Sequence, residues 1–278
     1  MIVVTGASGY VGSSAVRHLA ALGAPVTAMG RDETRLRKMV PAGVPLVIAD
    51  YDDPASLERA FAHATKLLFV ASDGFAQDMI RHHAQVIDAA NRSAIAHTVF
   101  TSIVDVDESS PFYFAPAYRD AERRLKSARF SSAILRCGLY SDFILQHWLR
   151  ETVISVPLAD ARIAPVSRDD VAAAAVAAVL ATTDEPSQLT GAVAYSMADI
   201  ASAATRALGK PYVYEACAPA AYFERLTAEV EDPWPKAFSS LCSSIRAGRY
   251  AATSQHVPSE DFESFLRRST QGQSLSRV

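Results

Sequence analysis

Met1-Ile2-Val3-Val4-Thr5-Gly6-Ala7-Ser8-Gly9-Tyr10-Val11-Gly12 opens the chain, and its reading decides the fold. A short apolar run at 2–4 meets glycines at 6, 9 and 12. Residues 10–22 follow with apolar side chains at 11, 15, 19 and 22, the spacing of one helix face. Strand, glycine turn and helix in this order bring backbone N–H groups and a helix N-terminus to a pyrophosphate. The glycines are spaced G-x-x-G-x-x-G, and each has a task in such a turn: a tight bend, close approach to phosphate, and close packing of helix on sheet. The segment therefore predicts a dinucleotide site formed by Gly6, Ser8, Gly9, Tyr10, Val11 and Gly12.

Outward from this loop, strand and helix patterns alternate. Further strands are expected at 25–29, 45–49, 66–71, 96–101 and 132–135. Asp53-Pro54 has the form of a helix N-cap with proline in the first turn, ahead of Leu57 and Phe61. Longer helices are expected at 75–92, with Met79, Ile80, Val86, Ile87 and Ala90 inward, and at 117–128. This alternation predicts an α/β fold, a Rossmann-type doubly wound parallel sheet covered on both faces. Past residue 142 the pattern loosens: helical stretches at 143–150, 169–181, 197–208, 219–230 and 234–247, and short extended ones at 153–156, 163–166, 193–195 and 212–215. The expected division is a nucleotide-binding domain over 1–152 and a smaller C-terminal substrate lobe over 153–278, with elements around 164–195 returning to the first domain. The last ten residues are polar and are expected to fray.

Composition narrows the function. The net charge of −3 gives no electrostatic reason to expect direct nucleic-acid binding. Cys137, Cys217 and Cys242 form neither a zinc spacing nor a disulfide framework. His82 and His83 are adjacent on a helix and point to different faces, and no histidine pair has metal-ligand spacing, so no metal is expected. Neither a basic leader nor a long apolar span is present, which points to a cytoplasmic protein without membrane association, monomeric or homodimeric. No Gly-x-Ser-x-Gly elbow supports a hydrolase.

Four segments carry a wider likeness: Val4-Thr5-Gly6-Ala7-Ser8-Gly9-Tyr10-Val11-Gly12, Asp50-Tyr51-Asp52-Asp53-Pro54, Ile134-Leu135-Arg136-Cys137-Gly138-Leu139-Tyr140, and Ala164-Pro165-Val166-Ser167-Arg168-Asp169-Asp170-Val171-Ala172. In order and spacing the chain resembles the NmrA-like branch of the atypical short-chain dehydrogenases, and within it the bacterial NAD(P)H-dependent quinone oxidoreductases. The resemblance spans nearly the whole chain. It implies either a reductase or, as in other members of the branch, a regulator that binds NADP(H) or NAD(H) as a redox sensor and docks on a protein partner.

The residues themselves refine this. The second strand leads into Arg31, where an acid would accept from a ribose 2′-OH and an arginine would pair with a 2′-phosphate. Arg35 lies one turn on, with Arg37 and Lys38 nearby, so NADP(H) is preferred over NAD(H). Asp50 and Tyr51 follow the third strand; Asp50 either accepts from the adenine amino group or caps a turn. Ala71, Ser72 and Ser102 sit where strand ends face the crevice.

Carbonyl reduction in short-chain dehydrogenases uses a Tyr-x-x-x-Lys pair, whose cation lowers the phenol pKa. None of the ten tyrosines here has lysine four residues on. The nearest match is Tyr118 with Glu122, and a carboxylate beside it opposes a phenolate. A quinone tolerates this loss, because it accepts hydride readily and needs only a modest proton donor. Ser102, Tyr118, Tyr140 and Phe143 are the candidate pocket residues, with Tyr118 the candidate donor; Tyr140 and Phe143 are equally consistent with apolar packing. The reaction expected is hydride transfer from NADPH to a quinone or similar electrophilic carbonyl.

Overall fold

A computed structural model describes every residue except 183, 185, 186, 255–258 and 276–278, and the side chains of 271–275. In chain order the first elements are β1 (Ile2–Val4), α1 (Tyr10–Ala21), β2 (Val26–Gly30), α2 (Glu33–Met39), β3 (Leu46–Ile48), α3 (Pro54–Phe61), β4 (Lys66–Phe69), α4 (Ala76–Arg92), β5 (His97–Ile103), α5 (Ala115–Lys126) and β6 (Ser131–Cys137). Then come α6 (Ser141–Phe143), a π-helical turn (Ile144–Trp148), β7 (Val153–Ile154), α7 (Arg168–Ala181), β8 (Ser187–Leu189), α8 (Met197–Leu208), β9 (Val213–Tyr214), α9 (Pro219–Glu229), α10 (Trp234–Arg246) and α11 (Phe262–Leu275).

The chain divides into two compact units, each assembled from separated stretches. The first comprises Met1–Val106, Pro116–Arg136 and Arg168–Ser187; the second comprises Asp107–Ala115, Cys137–Ser167 and Gln188–Val278.

The first unit is built on a sheet of order β3-β2-β1-β4-β5-β6-β8, whose last strand lies where the chain leaves that unit. β1 pairs in parallel with β2 and with β4, β2 with β3, and β4 with β5. Successive strands run outward from β1 in one direction and then, after β3, from β4 in the other. The reversal between β1 and β4 opens a crevice at their carboxyl ends. β1 is buried on both faces, as a continuous Ile-Val-Val run requires. Beside it lies a core holding Leu57, Phe61, Leu67, Phe69, Ile87 and Phe100, none more than 2% exposed. Each such side chain contributes roughly 1.5–3 kcal/mol on burial.

Local chemistry fixes the helices that flank the crevice. Asp53 caps α3, its carboxylate accepting from the Ala55 and Ser56 amides with Pro54 in the first turn. Asp32 caps α2 in the same manner, accepting from the Arg35 amide at 3.0 Å. The Ser14 hydroxyl donates to Asp169 at 2.8 Å, tying α1 to α7. The Lys66 ammonium, at the start of β4, donates to the Val179 and Leu180 carbonyls and so closes the C-terminal end of α7.

The second unit contains a two-stranded parallel sheet of β7 and β9, with Val153 opposite Val213. α8 begins with a reciprocal Ser196–Asp199 capping box and ends on Gly209 in the left-handed region. Here the sequence expectations need correction. The stretch 143–150 is not one helix but α6 running into a π-helical turn. The stretches 163–166 and 193–195 form only single bridges, Ile163 with Tyr195 and Val166 with Tyr140. α11 carries the chain to Leu275 through part of the expected frayed end, whose last three residues lie outside the described ones. Among the described residues no helix is long and apolar enough to cross a membrane.

A Cβ at Gly12 would lie 2.4 Å from the Gly6 carbonyl oxygen and 2.9 Å from the Ala7 Cα, all rigid backbone. Gly12→Ala should therefore push α1 off the loop and lower the thermal midpoint by several degrees, the effect of about 1–3 kcal/mol of overpacking. An unchanged midpoint in thermal denaturation would contradict this packing.

Candidate cofactor site

At the crevice the first unit carries a cleft of about 260 Å³. Its lining combines the glycine loop (Gly6, Ser8, Gly9), the end of β2 and start of α2 (Met29, Gly30, Arg31, Arg35), the end of β3 (Ala49, Asp50, Tyr51), the end of β4 (Val70, Ala71, Ser72, Asp73) and His82 of α4. Five separate chain segments meet there, as the strand order requires.

The loop is shaped for close approach. Gly6 has φ +59, a conformation glycine adopts without strain. The Ala7 amide donates to the Met29 carbonyl at 3.0 Å, locking the loop to β2. α1 starts after Gly9 with no side chain capping its first turn and no acid within it. That leaves the positive end of the helix open to an anion.

At the end of β4 three consecutive amides are each held by a side chain from a different element. The Val70 amide donates to the Thr5 hydroxyl at 3.1 Å, the Ala71 amide to the Thr101 hydroxyl at 3.1 Å, and the Ser72 amide to His83 Nε2 at 3.2 Å. The Ser72 hydroxyl is enclosed and has no hydrogen-bond partner. A buried hydroxyl without a partner costs free energy unless a ligand completes it. The open helix end, the glycine cradle and this hydroxyl together fit a dinucleotide.

The basic cluster separates into two parts. Arg31 and Arg35 line the cleft, whereas Arg37 donates to Glu33 at 3.0 Å. Asp32 and Glu33 are not among the lining residues; one caps α2 and the other holds Arg37. Asp50 lines the cleft and also caps a turn, accepting from the Asp52 amide at 3.0 Å. Burial pushes the Tyr51 phenol up to about 12, with the Thr5 hydroxyl and Arg31 pulling the other way, so Tyr51 is no proton shuttle at neutral pH.

His82, set aside in reading the sequence, forms part of the wall. Its ring lies 5.7 Å from Tyr51, and its Nε2 is 3.2 Å from an Asp52 carboxylate oxygen. Arg81, and then His82, hold the Asp52 carboxyl down to about 2. Nothing in the periodicity of α4 distinguishes His82 from a solvated position; only the fold of β3 against α4 does.

Tyr10, Val11, Gly12 and Ser102 are not among the lining residues. Tyr10 is exposed beneath the Arg168 guanidinium, 5.7 Å from its ring centre, while Val11 is buried. Ser102 is buried and donates to Glu122 at 2.7 Å. Glu122 also receives Arg136 through two bonds, at 2.9 and 2.6 Å. The carboxylate expected to oppose a Tyr118 phenolate is thus neutralised within an ion pair. Tyr118 packs against the core, its ring 6.0 Å from His83 and 6.2 Å from Phe100.

In the second unit, Tyr140 bridges to Val166. Phe143 belongs to an aromatic cluster, with ring centres 4.6 Å from His147, 5.4 Å from Trp148 and 5.1 Å from Phe238. Burial raises the Cys137 and Cys242 thiols to about 12, so neither is a thiolate at neutral pH. Among the described residues no group of three His, Cys, Asp or Glu could hold a metal ion.

A doubly wound α/β fold with a glycine loop and two arginines lining a cleft at its switch point defines a dinucleotide-binding protein. The NmrA-like family matches residues 1–244, and the chain belongs to that family. Among curated relatives, Quinone oxidoreductase 2 of Escherichia coli (strain K12) is 28% identical over 222 residues, 77% of each chain. NAD(P)H azoreductase of Xenophilus azovorans is 26% identical over 221 residues, covering 78% of this chain and 77% of that one. The crystal structure of the NADPH-dependent quinone oxidoreductase from Escherichia coli, complexed with NADPH, superposes with a TM-score of 0.88 at 23% identity, covering 97% of this chain and all of that one. This likeness establishes the Rossmann-type fold.

His83 makes the first unit sensitive to acid. Burial pushes its pKa from 6.5 down to about 4, so the unfolded chain takes up a proton that the folded one refuses. The stability that neutral His83 confers is complete above pH 6.5 and is lost as the pH falls through 4, a change of about 3 kcal/mol. In denaturant titrations His83→Phe should lose less stability than wild type between these pH values. Parallel curves would contradict this assignment.

Proposed function

We propose that the protein is an NADPH-dependent reductase that transfers hydride to a quinone or a similar electrophilic carbonyl acceptor. The observation that carries the cofactor half is that Arg31 and Arg35 both line the cleft that begins at the glycine loop, with Asp50 and Asp73 also in its wall. Two guanidinium groups suit a 2′-phosphate, and an arginine rather than an acid follows the end of β2. That the chain is a nicotinamide-dependent oxidoreductase is supported by relatives named as quinone oxidoreductase and NAD(P)H azoreductase.

The acceptor half rests on what the chain lacks and what replaces it. The lysine position of the usual pair holds Glu122, committed to Arg136 and Ser102, so no cation next to Tyr118 comes from that position. An acceptor that needs a strongly tuned acid is disfavoured, and one already electrophilic is favoured. The bound nucleotide would supply hydride, and quinone, NADPH and one proton would give hydroquinone and NADP⁺. The chain's part is to hold the reactants, exclude water and deliver that proton, with Tyr118 of the first unit as donor.

NADPH consumption measured with a panel of simple quinones tests this reading, and steady turnover is expected. Tight NADPH binding with no turnover of any quinone, enone or aldehyde would replace it with the redox-sensor reading. Arg31→Asp should weaken NADPH about 10- to 100-fold, the loss of charge-assisted hydrogen bonds, with little change for NADH. Equal losses for both cofactors would remove Arg31 from 2′-phosphate recognition. Tyr118→Phe should lower kcat by about a hundredfold at unchanged NADPH affinity, and an unchanged kcat would remove Tyr118 as donor.

A further inference from the structure

We propose that His83 is a positioning residue for the dinucleotide: it fixes the Ser72 backbone, and thereby the place of the Ser72 hydroxyl in the wall against which the cofactor would bind. This rests on the reading of the cleft as an NADP(H) site.

β4 pairs with β5 as far as Phe69 opposite Phe100. Beyond that point the ladder stops, yet the next three residues form a wall of the cleft. Their amides would be left unpaired, and side chains supply the missing acceptors. Thr5 and Thr101 are short reaches, from the end of β1 and from β5, on either side of β4. His83 differs: it projects from α4 through the core to the last of the three amides. After Ser72 the chain turns at Asp73 and Gly74, the latter at φ +111, so Ser72 is the final anchored residue before the turn.

The imidazole is held for this task. It is completely buried, with ring centres 5.5 Å from Phe69, 5.6 Å from Phe100 and 6.0 Å from Tyr118. Accepting from the Ser72 amide requires Nε2 to be unprotonated, so any proton of the neutral ring sits on Nδ1. Burial keeps the ring neutral, aided by His82; the Ala117 backbone and Asp120 on α5 act in the opposite sense and are outweighed. A hydrophobic residue would fill the same space without holding the amide. The Ser72 hydroxyl, enclosed and without a partner, is the polar group whose position this bond controls.

The test is a double-mutant cycle read by NADPH dissociation constants and by the split between KM and kcat, alongside thermal midpoints. Ser72→Ala should weaken NADPH about tenfold through loss of one hydrogen bond. His83→Phe, which keeps an aromatic ring at this position and removes the acceptor, should weaken it by a similar factor with kcat within about twofold. The double variant should be no worse than the poorer single one, because both act through one hydroxyl. His83→Gln, whose amide oxygen can accept from Ser72, should restore most of the affinity. Wild-type affinity in Ser72→Ala or in a folded His83→Phe overturns the proposal. So do additive losses, or a His83→Gln that binds as poorly as His83→Phe, which would reduce His83 to packing. If His83→Phe does not fold, Ser72→Ala and His83→Gln decide alone. A wild-type protein that binds neither NADPH nor NADH overturns the cofactor reading itself, a result distinct from any difference among variants.

Discussion

Residue 12 has no room for a side chain, and much of the first unit follows from that. With only a hydrogen at Gly12, the first turn of α1 settles against the Gly6 carbonyl. The helix axis then points its uncapped N-terminus at the mouth of the crevice between β1 and β4. Gly6 bends the loop under it, and the Ala7 amide ties the loop to β2. Were α1 displaced by one carbon, the bond from Ser14 to Asp169 would also be disturbed, because it joins the next residues of the same helix to α7. One close backbone contact thus couples the uncapped end of α1 to the packing of its far side.

The opposite wall is set by a different device. Past the end of β4, three side chains take the place of a sheet neighbour for the amides of Val70, Ala71 and Ser72. The result is a cleft wall without loose amides, at a point where an ordinary loop would move. A similar economy governs the buried charges. Glu122 occupies the position where related chemistry uses lysine, and Arg136 and Ser102 satisfy it. A buried carboxylate left alone would be very costly, so the arginine of β6 is a structural requirement once Glu122 is present. An internal ion pair thus stands where the usual pair would place a cation.

Much of this organisation was legible in the residues. The apolar run at 2–4, the glycine spacing, Asp53-Pro54 and the periodicity of 75–92 are local signals, and the structure has β1, the loop, the α3 cap and α4 where those signals lie. The place of Arg31 beside the cleft was legible because it depends only on the end of the second strand. The roles of Thr5, Thr101, His82 and His83 were not, since each depends on a partner in another element, and helical periodicity treats the two histidines as a face and a back. β8 escaped notice because Ser187-Gln188-Leu189 holds a single apolar side chain; it is a strand through its neighbours in the sheet. α11 has a related cause: its sequence is polar apart from Phe262, Phe265, Leu266 and Leu275, and the first three are buried. The second unit was the least legible, because single bridges and a π-helical turn leave no periodic trace.

A crystal structure of the protein with NADPH bound tests the central claim most directly. The account predicts the pyrophosphate against the amides that follow Gly6, the 2′-phosphate in contact with Arg31 or Arg35, and the Ser72 hydroxyl within hydrogen-bond distance of the nucleotide. A dinucleotide bound away from the glycine loop, or one whose 2′-phosphate touches neither arginine, would contradict it.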